Sequence, residues 1–120
     1  MSDGPILIVD DDAFVRRLLR DMLSAQGHSL LEAENGQQAL DLDGPPPRVV
    51  LLDLLMPQMS GMEALALIRD RWPTTPVLVI SSMDSDRLVQ EALDAGASGY
   101  ITKPFHPMEI ASAVERALTA

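Results

Sequence analysis

The chain has no cysteine, which excludes disulfides and thiolate metal sites and is compatible with a reducing compartment. Aromatic residues make up only 3%, so a core must be built from Leu, Ile, Val, Ala and Met. Positive charge is scarce: 9 Lys and Arg stand against 18 Asp and Glu, a net charge of -9. Proteins hold nucleic acid by neutralising phosphates with Lys and Arg, so this balance argues against nucleic-acid binding and favours cations or cationic surfaces. No apolar run approaches the ~18 residues that span a bilayer. The amino terminus, MSDGP, is acidic and rich in helix breakers, unlike a secretory leader. These absences predict a cytoplasmic protein without a membrane partner. With 120 residues, 47% of them hydrophobic, the chain reads as one domain over residues 1–120 with a single core.

What is present is an alternation. PILIV, VVLLD and PVLVIS are short, almost continuously apolar and rich in Val and Ile, the pattern of strands buried on both faces of a parallel sheet. SLLEA and SGYIT are more polar, as expected of strands near sheet edges. Helical patterns lie between them. Over 12–26, Val15, Leu18, Leu19, Met22, Leu23 and Ala25 follow helical spacing, and Gly27 supplies a stop. A short helix is expected from Asn35, where Gln38 resembles a capping box partner, and DGPPP at 43–47 terminates it. SGME at 60–63 caps a third helix that runs to about Arg71; a fourth covers about 85–95; a fifth begins at Pro107. Five β-α repeats imply an α/β fold, a doubly wound five-stranded parallel sheet with five helices on both faces.

Ligands of open α/β sheets bind beyond the carboxyl ends of the strands. There the sequence places Asp10 and Asp11 after the first strand, Asp53 after the third, Ser81 at the end of the fourth, and Lys103 after the fifth. Two like charges ~4 Å apart repel by ~1 kcal/mol in water and ~4 kcal/mol at an effective dielectric near 20. One lysine cannot neutralise three carboxylates; a hard divalent cation can. Mg²⁺ prefers oxygen ligands and binds carboxylates together with phosphate oxygens. Zinc is the poorer fit without cysteine and with only two histidines. In such a site Asp53 is a candidate nucleophile toward a phosphoryl group. Lys103 and the Ser81 hydroxyl would pair with its oxygens.

VDDD at 9–12, LLDLLMPQMSG at 51–61, VISS at 79–82 and GASGYITKPF at 96–105 resemble, in order and spacing, the receiver domain of bacterial two-component response regulators. The resemblance covers essentially the whole chain and implies the flavodoxin-like strand order 2-1-3-4-5. It implies that Asp53 is the phosphoacceptor. Asp11 would ligate Mg²⁺ (or Mn²⁺ as a substitute) directly, Asp10 through water, and Leu55 through its backbone carbonyl. Ser81 takes the place of the switch hydroxyl, Tyr100 of the switch aromatic, and Lys103 of the phosphate-pairing lysine, with the bond to Pro104 cis. The implied donor is a phosphohistidine on a sensor histidine kinase or a histidine phosphotransfer protein. The implied output is an unknown domain or protein, reached through the face of the fourth helix, fifth strand and fifth helix, a face that also admits a homodimer. Leu55 and Met83 occupy positions that flank the path of the hydrolytic water in the family and often carry polar groups. Apolar side chains there cannot orient a water, which predicts a long-lived phosphoryl group.

Blander roles are expected for several other residues. Asp12 and Ser60 read as helix caps, Trp72 as packing at a helix end, His28 and His106 as surface loop residues, and the methionines as core filler. Three rival functions fit less well. A Mg²⁺-dependent phosphatase needs a second acid near Asp53, and Leu55 stands where it would be. A flavin carrier needs a first loop that cradles phosphate, and VDDDAF repels it. A degenerate receiver serving only as an interaction module would not need the intact acid, hydroxyl and lysine set.

Overall fold

A computed structural model describes residues 4–56 and 59–119. Ten elements alternate along them: β1 (Ile6–Val9), α1 (Ala13–Ala25), β2 (Leu30–Ala33), α2 (Gly36–Leu40), β3 (Val49–Leu52), α3 (Gly61–Arg71), β4 (Val77–Ser81), α4 (Asp86–Asp94), β5 (Gly99–Thr102) and α5 (Pro107–Thr119). The strands form one parallel sheet in the order β2-β1-β3-β4-β5. The two more polar strands are its edges, as their sequences predict. The three central strands are fully buried, because helices cover both faces.

Side chains alternate across a strand, so each central strand feeds two cores. Ile6, Ile8, Val49, Leu51, Leu78 and Ile80 pack against Leu19 and Leu23 of α1 and Ile110, Ala113 and Val114 of α5. Leu7, Val9, Val50, Leu52, Val77 and Val79 pack against α2, α3 and α4 through Ala39, Ala64, Leu65, Ile68 and Ala92. Among the described residues, no helix is long and apolar enough to cross a membrane.

Local chemistry sets the helix ends. Asp12 caps α1 by accepting from the N–H groups of Phe14 and Val15, and Ser60 caps α3 by accepting from Glu63. At α2, Asn35 Oδ1 accepts from the Gln38 N–H, but the Gln38 side chain reaches past the cap to the Glu34 N–H at 2.8 Å. The helix is only five residues long, and the prolines at 45–47 bar any continuation through that stretch. Trp72 is buried at the end of α3, with the Arg71 guanidinium 4.9 Å from its ring centroid.

Gly61 joins α3 closely to the segment after β3. A Cβ at this position would lie 2.1 Å from Leu54 Cα and 2.5 Å from Leu54 O. The clash is with backbone, so relief requires moving the loop that follows Asp53. Gly61→Ala is therefore expected to lower stability by at least ~1–3 kcal/mol, the range for overpacking, measured as a lowered urea midpoint.

Candidate phosphoryl-transfer site

The parallel sheet puts every strand's carboxyl end on one edge. Asp10 follows β1 and Asp53 follows β3, and the last residues of these paired strands, Val9 and Leu52, are in register. The Asp53 N–H donates to Val9 O at 2.9 Å, which extends the ladder to the site and stands the two aspartates side by side. Both are buried, at 2% and 4% exposure, while Asp11 is exposed. One oxygen from each of Asp10, Asp11 and Asp53 lies within 4.8 Å of the others. This is an all-oxygen, all-anionic donor set with one ligand at the open rim. It fits a hard divalent cation that keeps part of its water shell and does not fit the nitrogen and sulfur preference of zinc.

Lys103 reaches into the cluster from the segment after β5. Its Nζ lies 3.0 Å from Asp10 Oδ2 and 3.5 Å from Asp53 Oδ2. Burial alone would lower the Lys103 ammonium, but Asp10 foremost and then Asp53 outweigh it and hold the group above its ordinary 10.5. Burial raises the Asp53 carboxyl above its ordinary 3.8; the Leu55 N–H pulls it down, the Asp10 charge pushes it up and Lys103 pulls it down again, with burial prevailing. One ammonium thus stands against three carboxylates.

Ser81 ends β4 and is fully buried. Its Oγ accepts from the Met83 N–H at 3.1 Å, and its carbonyl accepts from the Lys103 N–H at 2.9 Å. The strand end that positions the hydroxyl therefore also anchors the lysine. Tyr100 on β5 is half-buried, and its hydroxyl donates to Met83 O at 2.5 Å; burial raises its phenol above the ordinary 10.0. The Lys103–Pro104 peptide is cis. Leu55 sits just past Asp53, is 47% exposed, and donates its N–H to Asp53 Oδ1 at 3.1 Å. Pro57 and Gln58, inside the LLDLLMPQMSG stretch, lie outside the described residues.

Three features escape the sequence pattern. Arg16 belongs to the site's support: its Nη1 donates to Asp10 O at 2.7 Å and its Nε to Glu32 Oε1 at 3.3 Å. The available signal is its spacing with Leu19 and Leu23, which puts an arginine on the buried stripe of α1. Leu18, expected on that stripe, is instead 41% exposed. It lines an apolar groove beside the site together with Phe14 and Val15 of α1 and Pro104 and Phe105. His106 is exposed, yet its Nδ1 accepts from the Met108 N–H at 3.0 Å while Glu109 accepts from the His106 N–H at 2.8 Å. That is a capping arrangement for α5.

The family model of the response regulator receiver domain matches residues 6–115. Chemotaxis protein CheY of Thermotoga maritima is 36% identical over 113 residues, 92% of this chain and 94% of that protein. Response regulator MprA of Mycolicibacterium vanbaalenii is 43% identical over 101 residues, which are 83% of this chain but 44% of that longer protein. Among solved structures, the receiver domain of NtrX from Brucella abortus matches with a TM-score of 0.90 at 32% identity, covering 96% of this chain and 98% of that one. The BeF₃-activated DrrB receiver domain matches with a TM-score of 0.90 at 30% identity. With an acidic edge on a 2-1-3-4-5 sheet and relatives that align along nearly its whole length, the chain belongs to the response regulator receiver domain family of two-component systems.

Proposed function

We propose that the chain is a phosphorylation-dependent switch of the cytoplasm, in which Asp53 accepts a phosphoryl group from a phosphohistidine of a sensor kinase or histidine phosphotransfer protein. The observation that carries this is the meeting of Asp10, Asp11 and Asp53 within 4.8 Å, with Lys103 Nζ 3.5 Å from Asp53. Asp10, Asp11, Asp53 and the Leu55 carbonyl would hold Mg²⁺, or Mn²⁺ in its place. A cation held there would supply positive charge to the attacking and phosphoryl oxygens. An Asp53 carboxylate oxygen attacks phosphorus, the P–N bond of the donor breaks, and the imidazole nitrogen keeps the bonding electron pair. Lys103 pairs with a phosphoryl oxygen, and the Ser81 hydroxyl donates to another. The apolar groove of Phe14, Leu18 and Phe105 beside the acceptor offers the donor a place to rest.

Turning Ser81 toward the phosphoryl group gives up its bond from the Met83 N–H. Tyr100 binds the carbonyl of the same residue, so the change reaches β5 and biases two arrangements of the α4, β5 and α5 face. That face would bind an output partner or domain, or a second copy of the chain. The protein is a regulatory phosphoacceptor and not an enzyme that turns over small substrates.

The test is incubation with Mg²⁺ and a small phosphodonor, followed by intact-protein mass spectrometry. The wild type gains one phosphoryl group and Asp53→Asn gains none; equal labelling of both removes Asp53 from its role. The label is also expected to decay slowly, because Leu55 and Met83 cannot orient a water. Decay followed by mass spectrometry should be faster in Leu55→Asn and Met83→Glu, and decay no slower in the wild type would refute the link.

A further inference from the structure

Asp10 is held at every polar atom. Its N–H donates to Ala33 O at 3.1 Å, its Oδ1 accepts from the Asp12 N–H at 2.9 Å, and its Oδ2 accepts from Lys103. Its carbonyl accepts from Arg16 Nη1 at 2.7 Å. That carbonyl and the Asp11 nitrogen share one rigid peptide plane. Fixing the oxygen therefore fixes the Asp11 Cα, and the Asp12 N–H bond to Asp10 Oδ1 holds the next peptide plane, so the two planes together orient the Asp11 side chain. Asp11 is exposed, so burial does not hold it in place. Arg16, in contrast, is only 14% exposed, and its planar fork is oriented from the other side by Glu32 on β2, 3.3 Å from Nε.

We propose that Arg16 is a positioning residue for the divalent cation: by clamping the Asp10–Asp11 peptide from behind, it presets the Asp11 carboxylate for ligation. The inference rests on the cation assignment made above. It runs against the simplest electrostatic expectation. A guanidinium near a site for a dication opposes binding through its charge, so removing a mere charge tightens the cation. Removing a clamp loosens it. The two roles thus predict opposite signs.

Mg²⁺ affinity, measured by titration calorimetry on the full chain well below its melting temperature, separates them. Residues that orient metal ligands typically contribute about 10–100-fold to affinity, so Arg16→Gln is expected to weaken Mg²⁺ by about tenfold or more. Arg16→Lys keeps the charge but loses the fork and should weaken it by a smaller factor. The lysine variant also serves if the glutamine variant does not fold. Mg²⁺ affinity that is unchanged or tighter in the variants, even with a lowered melting temperature, overturns the clamp while leaving the cation assignment intact. A wild type with no Mg²⁺ affinity overturns both.

Discussion

Replacing Lys103 by methionine is expected to destabilise the cation-free protein by about 3–5 kcal/mol, the usual result of removing one partner from a buried ion pair. The ammonium is only 20% exposed and lies 3.0 Å from Asp10 and 3.5 Å from Asp53, so its loss leaves two neighbouring buried carboxylates facing each other. Asp53, already raised by burial, limits the loss by taking up a proton, which makes the defect smaller in acid than at neutral pH. At the alkaline end the sign follows from the raised Lys103. The folded protein keeps this proton at a pH where the unfolded chain releases it, so the lysine's contribution is complete below 10.5 and is lost as pH rises through the higher folded value. Urea denaturation across pH checks this. Mg²⁺ should restore much of the stability, because a cation held only by the folded state stabilises by mass action. A loss under ~1 kcal/mol at neutral pH, the range of an exposed ion pair, would show that Lys103 does not neutralise the cluster.

Asp53→Asn is expected to act in the opposite direction on stability while abolishing labelling. The folded protein holds the Asp53 proton above the ordinary 3.8. Stability from this group is therefore full below that value and falls as pH rises through the raised folded value; at neutral pH the ionised carboxylate is a net cost. The asparagine removes that cost and keeps an oxygen to accept the Leu55 N–H. It forfeits the 3.5 Å contact to Lys103, which still has Asp10. The cation-free variant should melt higher than the wild type at pH 7, by about 4 °C for each kcal/mol gained in a domain of this size, and the difference should vanish as pH falls below 3.8. Mg²⁺ should stabilise the variant less than the wild type, since one anionic ligand is gone. A variant that melts lower than the wild type at every pH would mean that burial does not strain the carboxylate.

The parts of this molecule that depend on simple periodicity are legible in the sequence. Continuous Ile, Val and Leu mark the central strands, and polar residues within LLEA and GYIT mark the edges. Asp10, Asp53, Ser81 and Lys103 can be found because a parallel sheet gathers strand ends. Arg16 and Leu18 show where periodicity stops. Both border the buried stripe of α1, and hydrophobicity alone assigns that border to leucine. The Asp10 carbonyl decides otherwise, because a buried carbonyl requires a donor and an arginine on the adjacent turn supplies it. His106 shows the same limit. It is an exposed loop residue by composition, but it becomes a cap through a backbone N–H that only the fold places beside its ring.

Side chains from two neighbouring strands hold the Met83 main chain, a β4 hydroxyl at its amide and a β5 phenol at its carbonyl. In the proposed switch, a change at Ser81 would therefore pass sideways from one strand to the next through a peptide and not through the thioether. Under that proposal the Met83 side chain would set how long the signal lasts while the peptide carries what the signal says, so duration and content would be separable at a single position.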